Sequence, residues 1–261
     1  MNRYENRRAL VTGGGSGIGQ ATVLRLLAEG GTVVAADISE AGLKDTVDKA
    51  GASAQRLTTV LVDIADEASV RQAVALAVRA LGGLDVLVNA AGILRSAHTH
   101  EQSLADFNRI IAVNLTGTFL MIREAIPALR EGNGPAVVNF SSTSAAFAHP
   151  YMAAYAASKG GIQSMTHALA SEYSKQGIRF TAVQPGSISS GMTDGSGASG
   201  QSAGPGLPED TDWDLYAKLA PALGRGFAGP ETVAGVVAML ASEDGRFITG
   251  TEVRIDGGTH F

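Results

Sequence analysis

Short apolar runs alternate along the chain with longer stretches of helical period. "ALVTG" is followed by a helical pattern over 17–29, "TVVAAD" by one over 39–50, "LTTVLVD" by 66–81, "LDVLVNAAG" by 101–130, and "AVVNFSS" by 153–176, before the run "RFTAVQPG". The apolar runs are continuous in Val, Leu and Ala rather than alternating in polarity, as expected of strands covered by helices on both faces. The order strand–helix–strand predicts an α/β fold with a doubly wound parallel sheet, and ligands in such sheets sit at the carboxyl ends of the strands, where strand order reverses. A helix over 230–242 and a strand at "TEVRID" close the pattern.

The pattern breaks once, at "GMTDGSGASGQSAGPG" over 191–206. Glycine and serine there leave little apolar surface to bury, so the segment reads as the hinge-like part of a mobile substrate lid spanning about 189–224. Trp213, Leu215 and Tyr216 would supply its apolar closing face. Without an internal repeat or a second linker, residues 1–261 are expected to form one domain carrying both nucleotide and substrate sites.

Composition narrows the partners. Glycine is 33 of 261 residues and charged residues are 17%, so close backbone approaches and extensive packing are expected. A net charge of -5 without a run of Lys or Arg argues against a nucleic-acid surface. There is no cysteine, which excludes disulfides and thiolate metal sites. The start "MNRYENRRALVTGGG" has no apolar signal core, and no segment reads as a membrane span, so a soluble cytoplasmic protein is expected.

Two features carry candidate chemistry. "TGGGSGIG" over 12–19 falls between the first strand and the first helix, where glycines let a diphosphate approach the backbone and the helix N-terminus attracts its charge. Asp37 ends the second strand, 18 residues past Gly19, near the offset at which an acid accepts hydrogen bonds from an adenosine ribose. Its carboxylate would repel a 2′-phosphate, and no cation in the loop or directly after it compensates, so NAD is favoured over NADP; a simple helix cap is the competing role for Asp37. In "YMAAYAASKGG", Tyr155 and Lys159 are four apart, one turn on a helix, and a neighbouring cation favours a phenolate and lowers its pKa. An ordinary amphipathic helix with a packed tyrosine and a solvated lysine would show the same pair. Tyr151 stands four before Tyr155 but has no lysine four residues on.

Together with "NAAG" at 89–92, "VNL" at 113–115, "VVNFSS" at 137–142, "YAASK" at 155–159, "PGSI" at 185–188 and "ITGTEVRIDGG" near the end, these motifs make the whole chain resemble a short-chain dehydrogenase/reductase. The resemblance implies a Rossmann-type sheet of about seven strands and a catalytic set of Asn114, Ser142, Tyr155 and Lys159. Tyr155 would exchange a proton with the substrate oxygen, Lys159 would lower its pKa and hold the nicotinamide ribose, Ser142 would stabilise the developing oxyanion, and Asn114 would hold the lysine through water. The resemblance also implies cofactor contacts from Gly13, Ser16, Gly17, Ile18, Gly19, Asp37 and Ile38, from Asp63 and Ile64 at the adenine, from Asn89, Ala90 and Gly92, and from Pro185, Gly186, Ile188 and Ser190. It further implies NAD-dependent interconversion of a secondary alcohol and a ketone, a small-molecule substrate, and a homotetramer. The alternatives are an NADPH-linked 3-oxoacyl thioester reductase and a non-catalytic nucleotide-sensing protein of the same fold. No metal is expected: His98 and His100 lack a third ligand, and His167 reads as a packing or surface residue. His149, with Leu94, Phe147, Met152 and Met192, could line an apolar substrate pocket suited to a cyclic or aryl secondary alcohol or a steroid. The terminal "THF" could reach a neighbouring subunit.

Overall fold

A computed structural model describes residues 2–194, 204–224 and 226–260. Seven strands, β1 (Arg8–Thr12), β2 (Thr32–Asp37), β3 (Leu57–Leu61), β4 (Val86–Asn89), β5 (Ala136–Phe140), β6 (Arg179–Pro185) and β7 (Thr251–Ile255), form one sheet in the order β3-β2-β1-β4-β5-β6-β7. Every pairing is parallel. After β3 the chain crosses to the other side of β1, so order reverses between β1 and β4, and the crevice opens there. Register aligns Thr12 with Asn89 and Asn89 with Asn139, which brings the carboxyl ends of the three central strands to one edge.

The continuous apolar runs divide their side chains between two faces. Ala9, Val11, Val33 and Ala35 pack against Val23, Leu27, Val233 and Val237 on α1 (Gly17–Ala28) and the late helix Glu231–Ala241. Leu10, Val34 and Ala36 turn the other way, onto α3 (Glu67–Leu81) and the helix Gly117–Leu129. With both faces covered, no alternation in polarity is needed, as the sequence pattern predicts. Helix starts are fixed by side-chain caps: Ser39 accepts from Gly42 N ahead of α2 (Glu40–Ala50), and Asp66 accepts from Ala68 N and Ser69 N ahead of α3.

The predicted helix over 101–130 is more elaborate. It consists of α4 (Leu104–Ile111), a π-helical turn at Ala112–Thr116 and α5 (Gly117–Leu129) in one continuous run. With a mean hydropathy of 1.3 over its most apolar window, the 26-residue run Leu104–Leu129 is long and apolar enough to cross a membrane, which corrects the expectation that no segment qualifies. Leu120, Met121, Ile122 and Ala125 instead lie in the core against the sheet, and that packing accounts for the apolar composition.

Candidate active site

A cleft of about 710 Å³ runs along the carboxyl ends of the strands and collects nearly every predicted residue. At one end lies the turn between β1 and α1. Gly13 has φ +68°, and a Cβ on it would meet Ala91 N at 2.9 Å; a Cβ on Gly19 would fall 2.1 Å from Gly13 O. Only glycine lets these backbones come so close, and the result is a smooth main-chain cradle at a helix N-terminus, which fits a dinucleotide diphosphate. Ser16, Gly17 and Ile18 complete that wall.

Asp37 faces the same cleft. Its carboxylate accepts from Gly15 N at 3.0 Å and from Ser39 N at 2.9 Å, so it fixes the glycine turn to β2. The cap of α2 is Ser39, which removes the competing reading of Asp37 as a helix cap. Ile38, Asp63, Ile64, Ala90, Gly92, Pro185, Gly186, Ile188 and Ser190 also line the cleft. Asn89 does not: its side chain is buried and donates to Asn139 Oδ1 at 2.9 Å, while Asn139 donates to Thr166 Oγ1. Facing inward at the β4–β5 pairing, it belongs to an interior polar chain, while Ala90, Ala91 and Gly92 line the cleft beside it. Arg109 of α4 lines the cleft as well.

Ser142, Tyr155 and Lys159 converge on the cleft from the end of β5 and from α6 (Ala153–Tyr173). Lys159 is buried, its Nζ donating to the Phe140 carbonyl at 2.8 Å and lying 5.6 Å from the Tyr155 ring centre. Burial pushes the ammonium down to about 8. Burial also pushes the Tyr155 phenol up to about 12, with the facing Ser142 hydroxyl pulling the other way. Burial thus sets the direction of the phenol, while the lysine is engaged by a main-chain carbonyl. Ser141 is the inward neighbour, donating to the Lys159 carbonyl at 3.0 Å.

Asn114 sits behind this set, in the π-helical turn, fully buried. Its Nδ2 donates to Ile93 O at 2.9 Å and to Ser158 Oγ at 3.0 Å, and its Oδ1 accepts from Ile93 N at 2.8 Å. Ser158 in turn donates to Tyr155 O at 2.7 Å. A π-helical turn projects this one side chain out of the α4–α5 ladder and into the junction of β4 with α6. A Cβ on Gly92 would lie 3.1 Å from Asn114 Oδ1 and 3.5 Å from Lys159 Nζ, so all three groups share one small volume.

The substrate end is assembled from segments far apart in sequence. Leu94, Met152, Met192 and His149 line it, as does Tyr216 of the short helix Trp213–Tyr216. Trp213 and Leu215 are exposed instead, because a single helical turn directs only one of its three bulky side chains into the cleft. Residues 195–203 of the expected lid lie outside the described residues. Phe147 is not part of the wall; it stacks on His260 at 4.1 Å between ring centres. His260 bonds to Asp256 of its own chain, and Phe261 lies outside the described residues.

Tyr151 is not on α6, whose first residue is Ala153, so its spacing from Tyr155 is not helical. At φ +66°, unusual for a side chain of its size, it accepts from Asp212 N at 2.9 Å through its hydroxyl and from Ala97 N through its carbonyl. His98 meets its ring edge-on at 5.2 Å and bonds to Asp210 at 2.8 Å. With Ser96 N donating to Pro205 O, these contacts pin residues 205–212 to the loops after β4 and β5. No group of acidic or histidine side chains that could hold a metal occurs among the described residues. His167 bonds to Glu252 at the surface.

A family model described as short chain dehydrogenase matches residues 7–199, and relatives align over almost the whole chain. The chain belongs to the short-chain dehydrogenase/reductase family. A cyclohexanol dehydrogenase of Acinetobacter sp. is 34% identical over 98% of this chain and 96% of its own. A 3-oxoacyl-[acyl-carrier-protein] reductase of Thermotoga maritima is 35% identical over 98% of each chain. Among solved structures, a short chain dehydrogenase from Mycobacterium paratuberculosis bound to NAD superposes with a TM-score of 0.89 at 31% identity, covering 98% of each chain. As a short-chain dehydrogenase/reductase, the protein is an oxidoreductase that acts on CH–OH groups with a nicotinamide cofactor.

Proposed function

We propose that this enzyme uses NAD to interconvert a secondary alcohol and a ketone, with Tyr155 as general acid and base. The observation that carries the proposal is the convergence of Ser142, Tyr155 and Lys159 on the cleft that also holds the glycine cradle and Asp37. The cradle of Gly13, Ser16, Gly17, Ile18 and Gly19 would hold the diphosphate and Asp37 the adenosine ribose, with Asp63 and Ile64 at the adenine. Pro185, Gly186, Ile188 and Ser190 would hold the nicotinamide end. When bound, the nicotinamide supplies or takes up the hydride. Tyr155 then gives a proton to the ketone oxygen or takes one from the alcohol, and Ser142 donates a hydrogen bond to the same oxygen as charge develops. Lys159 holds the nicotinamide ribose and positions the phenol, and Asn114 fixes the helix that carries both through Ser158.

NAD is preferred because a carboxylate at Asp37 meets a 2′-phosphate unfavourably, and no cation lies in the glycine turn. Residues 204–224 belong to a lid over an apolar substrate end that suits a cyclic or other bulky secondary alcohol, in keeping with the cyclohexanol dehydrogenase relative. Exposed Leu104, Phe107 and Phe119 on α4 and α5 support assembly into a homotetramer. The Thermotoga relative favours a second reading, an NADPH-linked 3-oxoacyl thioester reductase.

Fluorescence titration with NADH and NADPH, followed by assays on cyclohexanol, other cyclic alcohols and their ketones, separates the possibilities. NADH should bind at least ten-fold more tightly and cyclohexanol should be oxidised. Tighter NADPH with turnover only of 3-oxoacyl thioesters overturns the proposal. Binding of NADH with no turnover of any alcohol or ketone points to a nucleotide-sensing protein.

A further inference from the structure

The mechanism above gives no task to the polar side chain of His149 at the substrate end. His149 enters the cleft beside Met152, in a wall otherwise formed by groups such as Leu94, Leu219 and Phe227. Its Nε2 lies 3.2 Å from Thr143 Oγ1, and Thr143 directly follows Ser142 on the chain, so the imidazole stands one side chain away from the residue that faces the Tyr155 phenol. Among the described residues its other ring nitrogen has no protein partner.

The charge around it is accounted for. His260, 5.6 Å away between ring centres, takes the Asp256 carboxylate through Nδ1 at 3.1 Å and through its own backbone N at 3.2 Å. Arg254 approaches Asp256 at 3.6 Å and lies over the Phe147 ring, so no anion is left to face His149. Burial, reinforced by His260, pushes the His149 imidazole down to about 4, so it is neutral across the physiological range. A neutral imidazole offers one N–H and one lone pair. With Nε2–H donating to Thr143, whose hydroxyl can turn to the Pro185 carbonyl at 3.5 Å, Nδ1 accepts from a hydroxyl. In the other tautomer Thr143 donates to Nε2, and Nδ1–H serves a carbonyl oxygen. Either form suits an uncharged oxygen, whereas a carboxylate would need a cation to offset its desolvation.

We propose that His149 is a specificity-determining residue that binds a second, uncharged oxygen of the substrate, so that diols, hydroxyketones and diketones are preferred over compounds with one oxygen. This rests on the cleft being an alcohol and ketone site, as argued under the proposed function. A site built to bond an oxygen discriminates against analogues that lack it, because its own polar group is otherwise left unpaired in an apolar wall.

The test compares kcat/KM for cyclohexane-1,2-diol with that for cyclohexanol, in the native enzyme and in His149→Leu and His149→Gln. The native enzyme should favour the diol, the diol-to-cyclohexanol ratio should fall at least ten-fold in His149→Leu, and His149→Gln should recover part of it. An unchanged ratio in His149→Leu overturns the inference while leaving the alcohol chemistry intact. A binding measurement keeps the two questions apart: quenching of bound NADH fluorescence by cyclohexane-1,2-dione reads the contact without turnover. A ten-fold or greater loss of dione affinity in His149→Leu, relative to cyclohexanone, supports the inference, and parallel loss of both ligands overturns it by reducing His149 to a packing role.

Discussion

The two ends of the cleft are built by different means. At the glycine turn, main-chain atoms form the surface, and strand register sets their positions: Gly13 and Gly19 admit no Cβ, and Asp37 ties the turn to β2 through backbone N–H groups. At the substrate end, side chains from four separate segments meet. Leu94, His149 with Met152, Met192, and Tyr216 form its wall, and contacts behind that wall hold the segments together, Tyr151 with Asp212 N, His98 with Asp210, His260 with Phe147, and His149 with Thr143. A surface made of main chain changes only when the fold changes, whereas one made of side chains can be altered one residue at a time. One fold can therefore keep its cofactor while its substrate varies.

Substitutions that act through one end and not the other sharpen this contrast. The largest expected effect is at Ser142, where removal of the hydroxyl in Ser142→Ala should lower kcat by roughly 10²–10³-fold, the usual value of one donor to a developing oxyanion. The same change removes a group that opposes the rise of the Tyr155 phenol, so the folded pKa moves further up. Alcohol oxidation requires the ionised phenol, so the limb of the pH–rate profile that rises with pH should shift to higher pH. A shift to lower pH would contradict the arrangement. Next is Gly19→Ala, which places a Cβ 2.1 Å from Gly13 O and should weaken NADH binding by roughly 10²-fold, with circular dichroism confirming the fold. Retained affinity would mean that the cradle is not the diphosphate site.

Smaller effects are expected from single polar groups. Tyr151→Phe removes the acceptor of Asp212 N and should raise KM for a ketone several-fold, about 1 kcal/mol for one hydrogen bond, while the NADH dissociation constant stays within two-fold. An equal change in both constants would make Tyr151 a general fold residue rather than a tie on the lid. Smallest of all, Ser16→Ala should change NADH affinity by less than about two-fold if main-chain groups make the contact. A ten-fold loss would show that the turn depends on its side chain.

This contrast also explains which features are legible in the amino-acid sequence. Strand and helix spans fell within a few residues of their final bounds because caps such as Ser39 and Asp66 mark the helix starts, and because continuous Val and Ala runs mark covered strands. The glycine turn, Asp37, Tyr155 and Lys159 were legible from spacing, since each follows directly from a strand end or a helical turn. The inward turn of the Asn89 side chain is not legible locally, because its place at the end of β4 does not tell which way it points and the Asn139 that claims it is 50 residues away. The positive φ of Tyr151, just ahead of the helix, is announced by nothing local. The π-helical turn that carries Asn114, the outward-facing Trp213 and the Phe147–His260 stack likewise depend on contacts that no local pattern encodes. The tuning of Tyr155 belongs with these: the spacing placed a cation beside the phenol, but the Phe140 carbonyl that engages it lies on another element.

The central claim is that the Tyr155 hydroxyl moves the proton that accompanies hydride transfer. The most direct measurement is turnover of a secondary alcohol by Tyr155→Phe beside titration of the same preparation with NADH. The account predicts a loss in kcat of at least roughly 10²-fold, with NADH affinity within about two-fold of the native enzyme. Turnover that survives the loss of this hydroxyl, with NADH still bound, would contradict it.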